Sequence, residues 1–451
     1  MEKYFGIRER GSTVRTEIVA GFTTFFTMAY IIFVNPSILS SAGMNWDGVF
    51  VATILATVIG TLIMGLVAKV PFAVAPGMGL NAFFTYSVCL GLGFHWREAL
   101  AMVFICGIVN IIITVTKIRK AIIKSIPKSL QLAIGGGIGL FIAYIGFVNA
   151  GIVEIGGAVP ALSKFREGGP ILALIGIGII VVLMLLKVKA AMLIGIIAAT
   201  IIGIPMGVTH VPDNLFDLSR LSGFNEVTFA FFGDVGFSSL FSGERVLIAL
   251  IIIFAFSLTD TFDTIGTFIG TGRKAGIFDE ADEKALNEAK GFKSKMDKAL
   301  FADATATSIG ALLGTSNTTS YIESAAGINE GGRTGLTSVV VAALFLICLP
   351  LVSIFGMAPA AATAPALIIV GIMMADSFKG IKWDNIGESI PAFITVVVMA
   401  FAYNISYGIA AGFIFYCIVK FCKKEAHDIH PILFGSTLVF LLYFVLMAVK
   451  M

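Results

Sequence analysis

The sequence predicts an all-α polytopic membrane protein, and three observations carry that prediction. The 451 residues are 57% hydrophobic and only 13% charged, about half the charged share of a soluble chain. The apolar residues gather in runs close to the roughly 20 residues that cross a bilayer as a helix. The longest polar stretches, Gly207 to Arg245 and Arg273 to Lys298, are each too short for a separate soluble domain. The expectation is one membrane domain over 1–451.

In chain order the runs lie near 17–39, 48–68, 71–91, 98–116, 130–149, 170–186, 190–206, 246–271, 299–314, 316–330, 335–355, 360–376, 388–402, 404–421 and 431–449. The charged stretch Met1 to Glu17 leads straight into a run of full spanning length without a small-residue cleavage site, so no cleaved signal peptide is expected. Basic residues fall in alternate connections: Lys3, Arg8, Arg10 and Arg15; Lys117, Arg119, Lys120, Lys124 and Lys128; Lys187 and Lys189. Loop 273–298 adds Arg273, Lys274, Lys284, Lys290, Lys293, Lys295 and Lys298, whereas 210–244 is mostly acidic apart from Arg220. Cytoplasmic loops carry the excess of Lys and Arg, which places the N-terminus and 273–298 in the cytoplasm and 210–244 outside, with the chain in the inner (cell) membrane.

Two halves share an order of segment types. Pro170 opens an apolar helix that breaks at Lys187 to Lys189, and Pro391 opens one that breaks at Asn404. The third segment of each half is interrupted. The first reads Pro71 to Phe84 with Pro76, Gly77 and Gly79 inside it; the second, Gly314 to Gly327, holds the run Thr315-Ser-Asn-Thr-Thr-Ser320. Proline and glycine break a helix, and Ser, Thr and Asn compete for its backbone bonds. Paired broken segments at matching places point to a transporter's midplane site. An odd number of spans per half inverts the second copy, so the reading is a seven-plus-seven transmembrane inverted repeat with two short extended segments. The first repeat covers 17–206 and the second 246–421, leaving 431–449 as an extra C-terminal hydrophobic segment without a role.

Irregular backbone at membrane depth must be satisfied by protein, water or ligand, and half-helix N-termini favour carbonyl oxygens or anions. Acids inside apolar spans are costly and mark function. Three stand out: Asp260 and Asp263, three apart on one helix face with Thr264 and Thr267, and Glu323 in the second broken segment. A carboxyl group kept from water resists ionisation and can exchange a proton near neutrality, which is the basis for proton coupling by Asp260, Asp263 or Glu323. Asn81 offers an amide beside the first break. Thr23, Thr24 and Thr27 are expected to bond back to their own helix, Asp303 to pair or cap near Lys295 and Lys298, and Asn35-Pro36 to kink the first span.

The run Gly135-Gly-Gly-Ile-Gly139 reads as a close-packing surface between helices. Cys89, Cys106, Cys348 and Cys417 read as small core residues, without metal-ligand spacing, and Cys422 lies outside the apolar runs. His95, His210, His427 and His430 fall in loops, so neither a metal centre nor a nucleophile system is expected, and no enzymatic activity or cofactor.

Three stretches together resemble one family: Val74-Ala-Pro-Gly-Met-Gly-Leu-Asn-Ala-Phe-Phe84, Asp260-Thr-Phe-Asp-Thr-Ile-Gly-Thr267, and Gly314 to Gly327 followed by Gly331-Gly-Arg-Thr-Gly-Leu336. They are similar to the guanine/hypoxanthine and adenine permeases of the nucleobase:cation symporter superfamily. The likeness runs from Gly11-Ser-Thr-Val-Arg-Thr-Glu17 to His430-Pro-Ile-Leu433. The resemblance implies a core domain of spans one to four and eight to eleven, a gate domain from the rest, and substrate between them. It implies that Asp260 and Glu323 bind a purine base, that Asn81 is the essential amide and Asp263 the second acid of the eighth span, and that Thr318, Thr319 and Ser320 make backbone contacts. Phe83 and Phe256 are expected to stack on the ring. The implied activity is uptake of hypoxanthine or guanine by proton symport, with an adenine-preferring permease as the alternative and a homodimer left open. An anion carrier of sulfate or bicarbonate type on the same fold is a further alternative, but such a carrier would avoid acids at its site and would usually carry a soluble domain after the last span.

Overall fold

The computed structural model describes residues 2–116, 125–156, 159–241, 245–273, 275–278, 282 and 294–450. Among the described residues nine helices are long and apolar enough to cross a membrane. The first span is split into α1, Val14–Met28, and α2, Ile31–Ser40. The second, α3, Trp46–Ile63, widens into π-helical turns over Met64–Ala68. The third opens with a strand, β1, Val74–Pro76, continues as α4, Met78–Ala82, and ends π-helical over Phe83–Gly91. Then come α5, Trp96–Val115; α6, Lys128–Asn149; α7, Gly168–Leu185; and α8, Ala191–Gly203.

The second half repeats the order. It holds α9, Val246–Thr267; α10, Lys295–Leu313; β2, Thr318–Ser320, with α11, Ser324–Asn329; α12, Gly335–Ile347; α13, Ala360–Met374; α14, Ile386–Phe401; and α15, Ile405–Cys422. A last helix, α16, Pro431–Lys450, packs on α15, where Tyr407 and Tyr443 share a hydroxyl contact of 3.2 Å. The helix α10 begins earlier than its apolar run suggests, because Ser294 caps it by accepting the Asp297 N–H at 2.9 Å. Pro391 does not open α14 as expected. Asn385 does, accepting the Gly387 N–H at 3.0 Å, and Pro391 lies more than a turn inside the helix.

Two bodies form. In the core, α10 lies on α5 and α3, α12 on α1 and α3, and α9 on α5. In the gate, α13 lies on α6 and α7, α14 on α6 and α15, and α8 on α7. The first span is 72% buried in protein and α7 only 28%, so α7 presents most of its Ile, Leu and Val to lipid. The glycine run of α6 packs as expected. A Cβ on Gly371 would stand 2.4 Å from the Gly139 carbonyl oxygen, so α6 and α13 can approach this closely only with glycine at the crossing.

The two ends of the spans differ. Residues 210–241 fold into short turns over one end, where Arg220 holds Asp47 at 2.5 and 3.0 Å and Ser239 donates to Glu98 at 2.8 Å. The N-terminal segment lies at the other, where Arg10 donates to the Lys69 carbonyl at 2.6 Å and Lys189 pairs with Glu330. Of the basic residues read for orientation, Lys117, Arg119, Lys120, Lys124, Lys274, Lys284, Lys290 and Lys293 lie outside the described residues.

Candidate functional site

The broken spans meet. Strands β1 and β2 pair antiparallel, with Val74 opposite Ser320, Ala75 opposite Thr319 and Pro76 opposite Thr318. The ladder is extended by Gly77 N–H to the Asn317 carbonyl and Tyr321 N–H to the Ala73 carbonyl, both 2.9 Å. Every residue of both strands is buried, so the backbone groups left over need partners. Thr61 on α3 supplies two: its hydroxyl accepts the Val74 N–H and donates to the Val74 carbonyl, each at 3.0 Å. Ser324 accepts the Ala73 N–H at 3.1 Å, and Tyr321 donates to the Pro76 carbonyl at 2.6 Å. Thr307 on α10 donates to the Thr318 carbonyl at 2.8 Å.

Around this ladder the acids gather. Asp260, 1% exposed, accepts from the Asn110 amide at 2.9 Å and from Thr307 at 3.4 Å. Asn110 in turn accepts from Ser257. Asp263, on the same face of α9, is exposed and lies beside the Thr319 side chain. Glu323 is half-buried at the start of α11. It makes no capping bond there and instead accepts from the Tyr30 hydroxyl. Asn81, wholly buried on α4, accepts from Ser316 through its oxygen.

Several buried polar atoms at this crossing have no protein partner: Asp260 Oδ1, Asn81 Nδ2, Asn317 Oδ1 and Thr318 Oγ1. They comprise carboxylate, amide and hydroxyl groups, and buried groups of this kind carry a cost until something hydrogen-bonds them. The place is therefore suited to a small polar ligand with both donors and acceptors on its edge.

Asp303 departs from its expected role. It forms no ion pair among the described residues; it sits in the middle of α10, accepting from Thr264 and from Ser320, both at 2.8 Å. It thus ties α9 and β2 to α10 as a second buried acid beside Asp260. Lys295 and Lys298 lie one to two turns before it, which makes the start of the helix read as interfacial. Asn110 and Tyr30 also join the site without a sequence signal, because a single polar residue in an apolar span has no diagnostic spacing, and Asn317 joins from the polar run of the second broken segment. Cys106 belongs with them, accepting from the Asn317 amide at 3.3 Å.

Phe83 and Phe256 are fully buried, with ring centroids 4.5 Å apart. They pack on each other, and neither ring face is open in this conformation. Thr27 bonds back to the Thr24 carbonyl at 2.8 Å, as expected. Asn35 does more than accompany a kink: its amide donates to Thr53 at 2.7 Å and Thr315 at 2.8 Å, fastening the first span to the second and to the loop before β2. The break itself falls at Ala29 and Tyr30.

Core and gate touch differently at the two ends. Toward segment 210–244, the Asn149 amide of α6 donates to the Tyr86 hydroxyl at 2.6 Å. Tyr403 adds ring contacts to Tyr86, Phe141 and Tyr144 at 5.8, 5.4 and 5.8 Å. Toward the N-terminal end, Asp263 is exposed, Ile322 is 55% exposed, and a Cβ on Gly266 or Gly270 would meet nothing within 4 Å.

A helical membrane body of core and gate, with two interlocked broken spans at its centre, defines a membrane permease rather than an enzyme. Residues 15–411 match Xan_ur_permease, described as a permease family, and the chain belongs to that family. It is 41% identical to the guanine/hypoxanthine permease PbuO of Bacillus subtilis, over 97% of this chain and 98% of that one. It is 39% identical to the adenine permease AdeP of Escherichia coli, over 98% and 95%. Among solved structures, the transmembrane domain of the cyanobacterium bicarbonate transporter BicA matches with a TM-score of 0.64 at 17% identity, covering 87% of this chain and 97% of that one. The murine anion transporter Slc26a9 in its inward-facing state matches with a TM-score of 0.60 at 12% identity, over 90% and 68%. At these identities the likeness shows the fold, a seven-plus-seven inverted repeat with core and gate, and says nothing of the cargo.

Proposed function

We propose that this permease imports a purine base, hypoxanthine or guanine, together with a proton. The observation that carries the reading is the set of unpartnered groups at the strand crossing, above all Asp260 Oδ1 and Asn81 Nδ2. A carboxylate accepts ring N–H groups, and an amide N–H donates to a ring carbonyl or nitrogen. Asp260, Glu323 and Asn81 bind the base edge, Thr318, Thr319 and Ser320 offer backbone and hydroxyl contacts, and Asp260, Asp263 and Glu323 are the groups through which a proton is exchanged. The names of the relatives support a purine; they divide between adenine and guanine/hypoxanthine, so adenine is the competing cargo. Phe83 and Phe256 reach a ring only if the core rearranges.

In this reading 17–206 and 246–421 are the two repeats, 431–449 is an addition, and the N-terminus is cytoplasmic. The test is uptake of labelled hypoxanthine by proteoliposomes, with guanine and adenine as competitors. Saturable uptake driven by an inward proton gradient is expected. Uptake indifferent to collapse of the gradient would overturn proton coupling, and absence of uptake or binding of every purine would overturn the cargo.

A further inference from the structure

Tyr30 lies in the break of the first span and is 1% exposed. Its hydroxyl reaches across to the second broken span and donates to Oε1 of Glu323. Two features set this contact apart from ordinary packing. First, Glu323 stands at the start of α11 yet caps nothing there, and the tyrosine is the side chain that holds it. Secondly, among the described residues no Lys, Arg or His lies in ion-pair contact with Glu323, so a neutral phenol is the donor that holds its Oε1. A neutral donor fixes the direction of a carboxylate without cancelling its charge. Glu323 is only half-buried, and with Oε1 occupied, Oε2 is the atom left to meet a ligand at the seam.

We infer that Tyr30 is a positioning residue for recognition: by holding Oε1, it aims Oε2 of Glu323 at an N–H of the purine ring. The inference rests on the purine reading above. The first span also runs close to the backbone of residue 323: the Thr27 hydroxyl oxygen stands 3.5 Å from the Glu323 carbonyl, with its hydrogen given to Thr24.

The test is hypoxanthine uptake and equilibrium binding by full-length Tyr30→Phe, which removes one oxygen. KM and Kd are expected to rise about tenfold, the loss of one hydrogen bond to a charged group, while Vmax and the ligand-free unfolding temperature stay near the unsubstituted values. In Glu323→Asp, whose shortened carboxylate no longer reaches the hydroxyl, adding Tyr30→Phe is expected to change nothing further. Unchanged KM and Kd in Tyr30→Phe overturn the inference. So does a fall in Vmax and unfolding temperature with KM unmoved, or an equal loss in the Glu323→Asp background, since both mark a role that does not act through Glu323. If the unsubstituted protein binds no purine at all, the cargo reading fails first and this one falls with it.

Discussion

The two broken spans occupy matching places in the two halves and do different work. The first is apolar and pinned: Thr61, Ser324 and Tyr321 bind its backbone at Val74, Ala73 and Pro76, and Asn81 brings an unpartnered amide donor to the site. The second is polar and outward-reaching: Thr319 meets Asp263, Ser320 meets Asp303, and Glu323 meets Tyr30. Symmetry of backbone has not brought symmetry of chemistry. The first span builds the crossing, and the second couples it to the acids of α9 and α10.

Substitutions can break that contrast or sharpen it. The largest effect is expected from Glu323→Gln and Asp260→Asn, each lowering purine uptake by about a hundredfold or more, because a charged acceptor is lost from a desolvated site. Their ligand-free unfolding temperatures should hold, and a collapse of folding would place these acids with the scaffold instead. Thr61→Val should do the opposite. It leaves the Val74 N–H and carbonyl unsatisfied, costing about 1–3 kcal/mol of stability, read as a lower unfolding midpoint in detergent, with the Kd of the folded fraction unchanged. Asn81→Ala should weaken binding about tenfold with little loss of stability; a loss of stability alone would make the first span scaffold throughout. Smallest is Thr319→Val, expected to raise KM by about threefold through loss of one hydroxyl beside Asp263, measured as initial uptake rates.

Much of this is legible in the sequence alone. The spans are legible because lipid and core both demand apolar side chains, so their length marks them regardless of which way each face points. The breaks are legible because proline at Pro71 and Pro76, and the run from Thr315 to Ser320, are poor helix formers. Asp260 and Glu323 stand out because an acid inside an apolar run costs too much to persist without a use. Asp303 is obscured by its neighbours: charged residues in the first turns of α10 hide how deep the helix goes. Phe83 and Phe256 pack on each other, which the sequence does not foretell, since closeness to a motif does not say which way a ring faces. Tyr30 and Asn110 offer neither pattern nor charge, and only the crossing of elements distant in sequence gives them meaning.

The strand pairing has a consequence for biosynthesis. Ala73 and Ser324, joined by a hydrogen bond, are 251 positions apart. As the chain emerges, the first half therefore enters the bilayer with the backbone of residues 73–77 lacking its partner, a costly state in hydrocarbon. The first repeat is expected to wait in a loose, water-admitting form, or against the insertion machinery, until the second arrives. Closing so long a loop is slow, and a truncated first half produced alone should be a target for membrane proteases rather than a stable half-transporter.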